Sequence, residues 1–112
     1  MSSISTHVLD TALGKPASGV PIHLQKENGK EWDSITKGVT NADGRIPEFI
    51  SKDKVLVSGT YRMTFETKTY FEKQKVSVFY PVVHVIFEIK EGQHYHIPLL
   101  LSPFGYSTYR GS

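Results

Sequence analysis

Cysteine is absent from this sequence, which rules out disulfide support, thiolate metal ligands and a cysteine nucleophile. Excess charge is absent too: 13 Lys and Arg against 11 Asp and Glu leave a formal net charge of +2. The nearest approaches to a basic cluster are Lys52 with Lys54 and Lys73 with Lys75, too little for a phosphate-tracking surface. A nucleic-acid partner is therefore not expected. No apolar run approaches the roughly 20 residues of a membrane-spanning helix, so no membrane partner is expected either. The opening Met1-Ser2-Ser3-Ile4-Ser5-Thr6-His7 lacks both the basic and the apolar part of an export signal. The end lacks the Ser-Lys-Leu peroxisomal address, and the expectation is a cytoplasmic protein. Also missing are a Gly-x-Ser-x-Gly elbow, a His-Glu-x-x-His motif and a glycine-rich phosphate loop.

What is present is alternation. The 112 residues form one expected domain, 1–112, long enough to bury a core without covalent staples. Ile4 to Asp10 reads as a first strand with Ile4, Thr6 and Val8 on one face and Ser5, His7 and Leu9 on the other. Gly14-Lys15-Pro16 and Gly19 break it. Val20 to Leu24 points Val20, Ile22 and Leu24 inward and His23 outward; Pro21 suits a strand start or an edge. Trp32 to Thr40 alternates weakly and runs into Asn41-Ala42-Asp43-Gly44-Arg45, whose Asn, Asp and Gly suit a tight turn. Gly59 to Glu66 places Tyr61, Met63 and Phe65 together, and Thr67 to Lys75 carries the spacing of one or two helical turns. Val82 to Lys90 follows Pro81, with Val83, Val85, Phe87 and Ile89 facing the core and His84 outward on an edge. After Gly92, His94 to Leu101 sorts Tyr95, Ile97, Leu99 and Leu101 from His94, His96, Pro98 and Leu100. Ser102-Pro103-Phe104-Gly105 reverses the chain into a last strand, Tyr106 to Gly111. The fold class is all-β: an antiparallel sandwich of seven to eight strands with one short helix.

Five histidines in a small domain raise the question of metal. His94 and His96 share a face without a carboxylate near them in sequence, so copper or zinc stays open on that pattern alone. General acid–base chemistry fits the residue types better. An imidazole titrates near about 6.5, able to take a proton from water and return it to a leaving nitrogen, and a guanidinium holds a planar anion or developing oxyanion. His7, Arg45 and His96 supply these groups, though periodicity does not bring them together. His23 reads as a solvated strand residue. His94 reads as solvent-exposed or as support for His96. Trp32, Phe49, Phe65, Phe79 and Phe87 read as core or interface.

Thr6-His7-Val8-Leu9-Asp10-Thr11 with Gly14-Lys15-Pro16-Ala17, Thr40-Asn41-Ala42-Asp43-Gly44-Arg45, and His94 to Pro103 continuing to Tyr109-Arg110-Gly111-Ser112 resemble the transthyretin-related 5-hydroxyisourate hydrolases. The resemblance covers nearly the whole chain. It implies a transthyretin-like sandwich and a homotetramer whose facing outer strands line a channel. It also implies a hydrolase of urate catabolism, needing no metal or other cofactor, that opens 5-hydroxyisourate to 2-oxo-4-hydroxy-4-carboxy-5-ureidoimidazoline. Carried onto this sequence, the family's site implies His7, Arg45 and His96 as catalytic residues, with His7, Arg45, Tyr109 and Ser112 contacting substrate. Strand parity groups Tyr109 with Ser107 and Gly111, opposite Ser112, so the serine reaches the site only if the chain bends there. The rival reading is a carrier of an aromatic small molecule on the same sandwich. The histidine pair and the Tyr-Arg-Gly-Ser end argue against it.

Overall fold

A computed structural model describes residues 3–50 and 54–111. Eight strands and one helix follow in chain order: β1 (Ser3–Asp10), β2 (Lys15–Pro16), β3 (Pro21–Asn28), β4 (Glu31–Val39), β5 (Gly59–Phe65), α1 (Thr67–Glu72), β6 (Val83–Ile89), β7 (His94–Ser102) and β8 (Gly105–Thr108). They form two four-stranded sheets, ordered β2-β1-β7-β8 and β4-β3-β5-β6. Alternation decides what lies between the sheets. Ile4 and Val8 of β1, Ile22 and Leu24 of β3, Tyr61, Met63 and Phe65 of β5, and Leu99 and Leu101 of β7 are all buried. Each fully buried aliphatic or aromatic side chain contributes about 1.5–3 kcal/mol relative to exposure.

One pairing departs from an all-antiparallel sandwich. β1 lies parallel to β7, in register from Ser3 beside His94 to Asp10 beside Leu101. A parallel pair needs a long connection, and here the connection builds the entire second sheet. Thr6, 3% exposed, reinforces the pair by donating to the carbonyl of Ile97 at 2.7 Å.

Other departures are local. β2 is a two-residue strand against Leu9 and Asp10, where the sequence reads only as a break. The helix ends at Glu72 rather than Lys75, because Lys75 takes a positive φ of 58°. The last strand stops at Thr108, and Gly111 rejoins the sheet through an isolated bridge to His96. Of the aromatics read as core or interface, Phe49 and Phe65 are buried and Phe87 packs against the core, while Trp32 is half-buried beneath the Arg62 guanidinium 4.4 Å from the ring centroid and Phe79, 68% exposed, lies outside the core. At the end of β1 the buried Asp10 carboxylate accepts the Tyr70 hydroxyl at 2.7 Å and the amides of Ala12 and Leu13 at 3.0 Å each. Burial first, then the bond to Asp10, pushes the Tyr70 phenol up to about 12.

Candidate active site

The outer face of the β1–β7 pair is a polar strip set by the two-residue repeat of both strands. Parallel register puts Ser3 beside His94, Ser5 beside His96 and His7 beside Pro98. The Ser5 hydroxyl lies 2.8 Å from Nδ1 of His96 and 3.3 Å from Nε2 of His94, and the Ser3 hydroxyl bonds Nδ1 of His94.

Arg45 arrives from the other sheet. The end of β4 is stapled by Thr40, whose hydroxyl accepts the Val20 amide at 2.9 Å and donates to the Ala17 carbonyl at 2.7 Å. The turn that follows is closed by Asn41, whose side-chain oxygen accepts the amides of Asp43 at 2.9 Å and Arg45 at 3.1 Å. Gly44, at φ 75°, presses onto β1: a Cβ there would stand 2.4 Å from the Val8 carbonyl oxygen and 3.3 Å from Cδ2 of His7. The Gly44 carbonyl accepts the Val8 amide at 2.9 Å. That docking brings Nη2 of Arg45 to 3.3 Å from Nδ1 of His7.

The electrostatics follow from these contacts. A guanidinium can only donate, so Nδ1 of His7 accepts and the neutral ring carries its proton on Nε2. His96, partly buried, has its pKa held below the ordinary imidazole value of 6.5, first by burial and then by coulombic repulsion, from Arg45 before His7 and His94. The chain end packs on the same ring. The Gly111 amide donates to the His96 carbonyl at 2.8 Å, and a Cβ at Gly111 would meet Cδ2 of His96 at 2.5 Å.

Of the residues singled out in the sequence, His7, Arg45 and His96 therefore converge. His94 stands in a hydrogen-bonded line with Ser5 and His96. Tyr109 is 60% exposed and borders a recess of 260 Å³ with Val85, Phe87, Tyr95, Ile97 and Arg110. Ser112 lies outside the described residues. The sequence marks Asn41 and Gly44 as turn residues and Ser5 as an outward strand residue, without pointing to their part in the site. The signal for Ser5 was its shared face with His7. Among the described residues no three His, Asp or Glu side chains group as metal ligands. The cluster can take a proton at His96, donate one at His7 and hold negative charge at Arg45.

The model of the HIUase/Transthyretin family matches residues 4–111. A probable 5-hydroxyisourate hydrolase of Caenorhabditis elegans is 46% identical over 112 residues, covering 99% of this chain and 82% of its own. The solved 5-hydroxyisourate hydrolase of Klebsiella pneumoniae superposes with a TM-score of 0.86 at 38% identity, covering 98% of this chain and 99% of that one. A sea bream transthyretin solved in complex with thyroxine gives a TM-score of 0.90 at 35% identity, covering 96% and 93%. The matches run through both sheets and all three of the separated motifs, and on that ground the chain belongs to the HIUase/Transthyretin family.

Proposed function

We propose that this chain hydrolyses 5-hydroxyisourate to 2-oxo-4-hydroxy-4-carboxy-5-ureidoimidazoline, a step of urate breakdown, by acid–base catalysis without a metal. The observation that carries the reading is the convergence of His7, Arg45 and His96 on one outer face. Similarity to named hydrolases at 46% and 38% identity adds to it. His96, whose lowered pKa favours the neutral ring, takes a proton from water as the water oxygen attacks the ring carbonyl. Arg45 stabilises the resulting oxyanion. The C–N bond then breaks as the leaving nitrogen takes the Nε2 proton of His7, and the carboxylic acid so formed returns a proton to His7, which ends neutral as it began. Tyr109 and Ser112 would complete the contacts to substrate. The site lies on an outer face, so a second subunit would cover it, and a homotetramer with an inter-subunit channel fits that need.

The carrier reading has support from the likeness to the thyroxine-bound sea bream protein. One experiment separates the two. 5-Hydroxyisourate made freshly with urate oxidase should lose its ultraviolet absorbance faster with this protein than without it, and the acceleration should survive exhaustive chelation. Aromatic-ligand binding without acceleration would favour the carrier. Loss of turnover in chelator, restored by zinc or copper, would overturn metal-free catalysis.

A further inference from the structure

We propose that Ser5 and His94 form a proton path that sets the tautomer of His96 and carries its proton to solvent, making both residues positioning and relay groups for the reaction. The proposal rests on the hydrolytic reading above. Its geometry is the unbroken line on the strip: Ser3 hydroxyl to Nδ1 of His94, Nε2 of His94 to the Ser5 hydroxyl at 3.3 Å, and that hydroxyl to Nδ1 of His96 at 2.8 Å. A serine has one proton to give. Between two imidazole nitrogens it donates to one and accepts from the other, so the line has two consistent polarities. With Nδ1–H of His96 donating to Ser5 and Ser5 donating to His94, Nε2 of His96 keeps a lone pair and acts as the base. With the polarity reversed, Nε2 of His96 carries the proton.

Turnover converts one polarity into the other. When Nε2 of His96 takes a proton from water, the ring becomes an imidazolium. Its Nδ1 proton passes to the Ser5 oxygen, the Ser5 proton passes to Nε2 of His94, and His94 releases its Nδ1 proton through Ser3 to solvent. One proton enters and one leaves, and the line resets when Nε2 of His96 passes its proton to water and a proton returns from solvent along His94 and Ser5 to Nδ1. The reaction needs such an outlet, because opening an amide generates a carboxylic acid, ionised well above its usual pKa of about 4. The surroundings drive the proton outward. Arg45 from the 41–45 turn, His7 from β1 and His94 from β7 all face His96 and disfavour a lasting charge there, whereas Ser3 and His94 are exposed to water.

The test uses Ser5→Ala, Ser5→Thr and His94→Gln, with kcat, KM and histidine ¹⁵N NMR read on each. Acid–base catalysis is worth about 10²–10⁴, and loss of the relay should take about tenfold of that from kcat in Ser5→Ala and His94→Gln, with KM unchanged. Added imidazole should restore part of the loss in both variants and leave the parent unaffected. The Nδ1/Nε2 proton ratio of His96 should change in Ser5→Ala and return in Ser5→Thr. Parental kcat in both variants, or a loss that neither imidazole nor the threonine relieves, would overturn the relay. An inactive parent protein would instead overturn the hydrolytic reading, and an unchanged His96 tautomer in Ser5→Ala would then count against the relay independently.

Discussion

A side chain that can only donate decides what its neighbour can do. Arg45 fixes His7 as a donor through Nε2, while the Ser5 hydroxyl leaves His96 free to be either tautomer. The two histidines are therefore chemically distinct. Alanine at His7, Arg45 or His96 should each lower turnover by about 10²-fold or more, with the circular dichroism of the parent, because none of the three belongs to the buried core. His23→Ala is the control: His23 bonds Ser34 at 2.8 Å on the other sheet, and its loss should leave turnover intact. Equal loss in the control would sink the assignment. The depressed pKa of His96 gives the pH dependence its sign. Its neutral form persists below 6.5, so the acid limb of kcat should fall at lower pH than a free imidazole would give. In stability terms the unfolded chain binds the extra proton first, so this residue's contribution declines as pH drops from 6.5 toward the lower folded value. His7, Arg45 and His96 were legible as residue types, and the resemblance grouped them. Ser5 was legible only as sharing a face with His7, and its bond to His96 was not, because that requires the partner strand to be known.

Among elements, the 41–45 turn carries the most consequence per residue. It spans from one sheet to the other, and Gly44 is where it touches down. Alanine there meets both a left-handed φ and the Val8 carbonyl, whereas Gly29, at φ 65°, has nothing within 4 Å of its added Cβ. Backbone strain alone is worth about 1–3 kcal/mol. Gly29→Ala should show only that in its thermal midpoint, with normal turnover. Gly44→Ala should lose more stability and also turnover, since Arg45 would be lifted from His7. Equal midpoints and equal turnover in the two variants would show that the docking is not needed. The turn was readable from Asn41, Asp43 and Gly44, as were β1, β3, β5, β6 and β7 from alternation. Two features of the first sheet were not. A two-residue strand such as β2 is too short for a period, and alternation is the same for parallel and antiparallel neighbours, so the partnership of β1 with β7 had no local signal.

At the scale of the molecule, both sheets end in open edges, β6 in one and β8 in the other. Exposed apolar groups gather near them: Ile86 is 59% exposed, Phe79 68% and Phe104 72%, and Tyr80 packs edge-on against Phe79 and Tyr106 with centroids 4.9 and 5.2 Å apart. Open edges and apolar patches of this kind are normally covered. Light scattering should report a tetramer, and a variant held as a folded monomer should have little or no activity. A fully active monomer would contradict the shared channel. The sandwich itself was legible because buried and exposed positions alternate so regularly. The expectation of a tetramer comes from the resemblance alone, since nothing in one chain's periodicity names a second copy. The parallel pairing also has a consequence in time. Ser5 and His96 lie 91 positions apart, so during synthesis the first strand must wait, one flank unfilled, until nearly the whole chain has left the ribosome. Non-local closure of this kind is slow compared with hairpin formation, and the second sheet, built from contiguous sequence, can form first and serve as the template. Catalytic competence is then the last property the nascent protein acquires, and a prematurely terminated chain would be inert toward substrate rather than partly active.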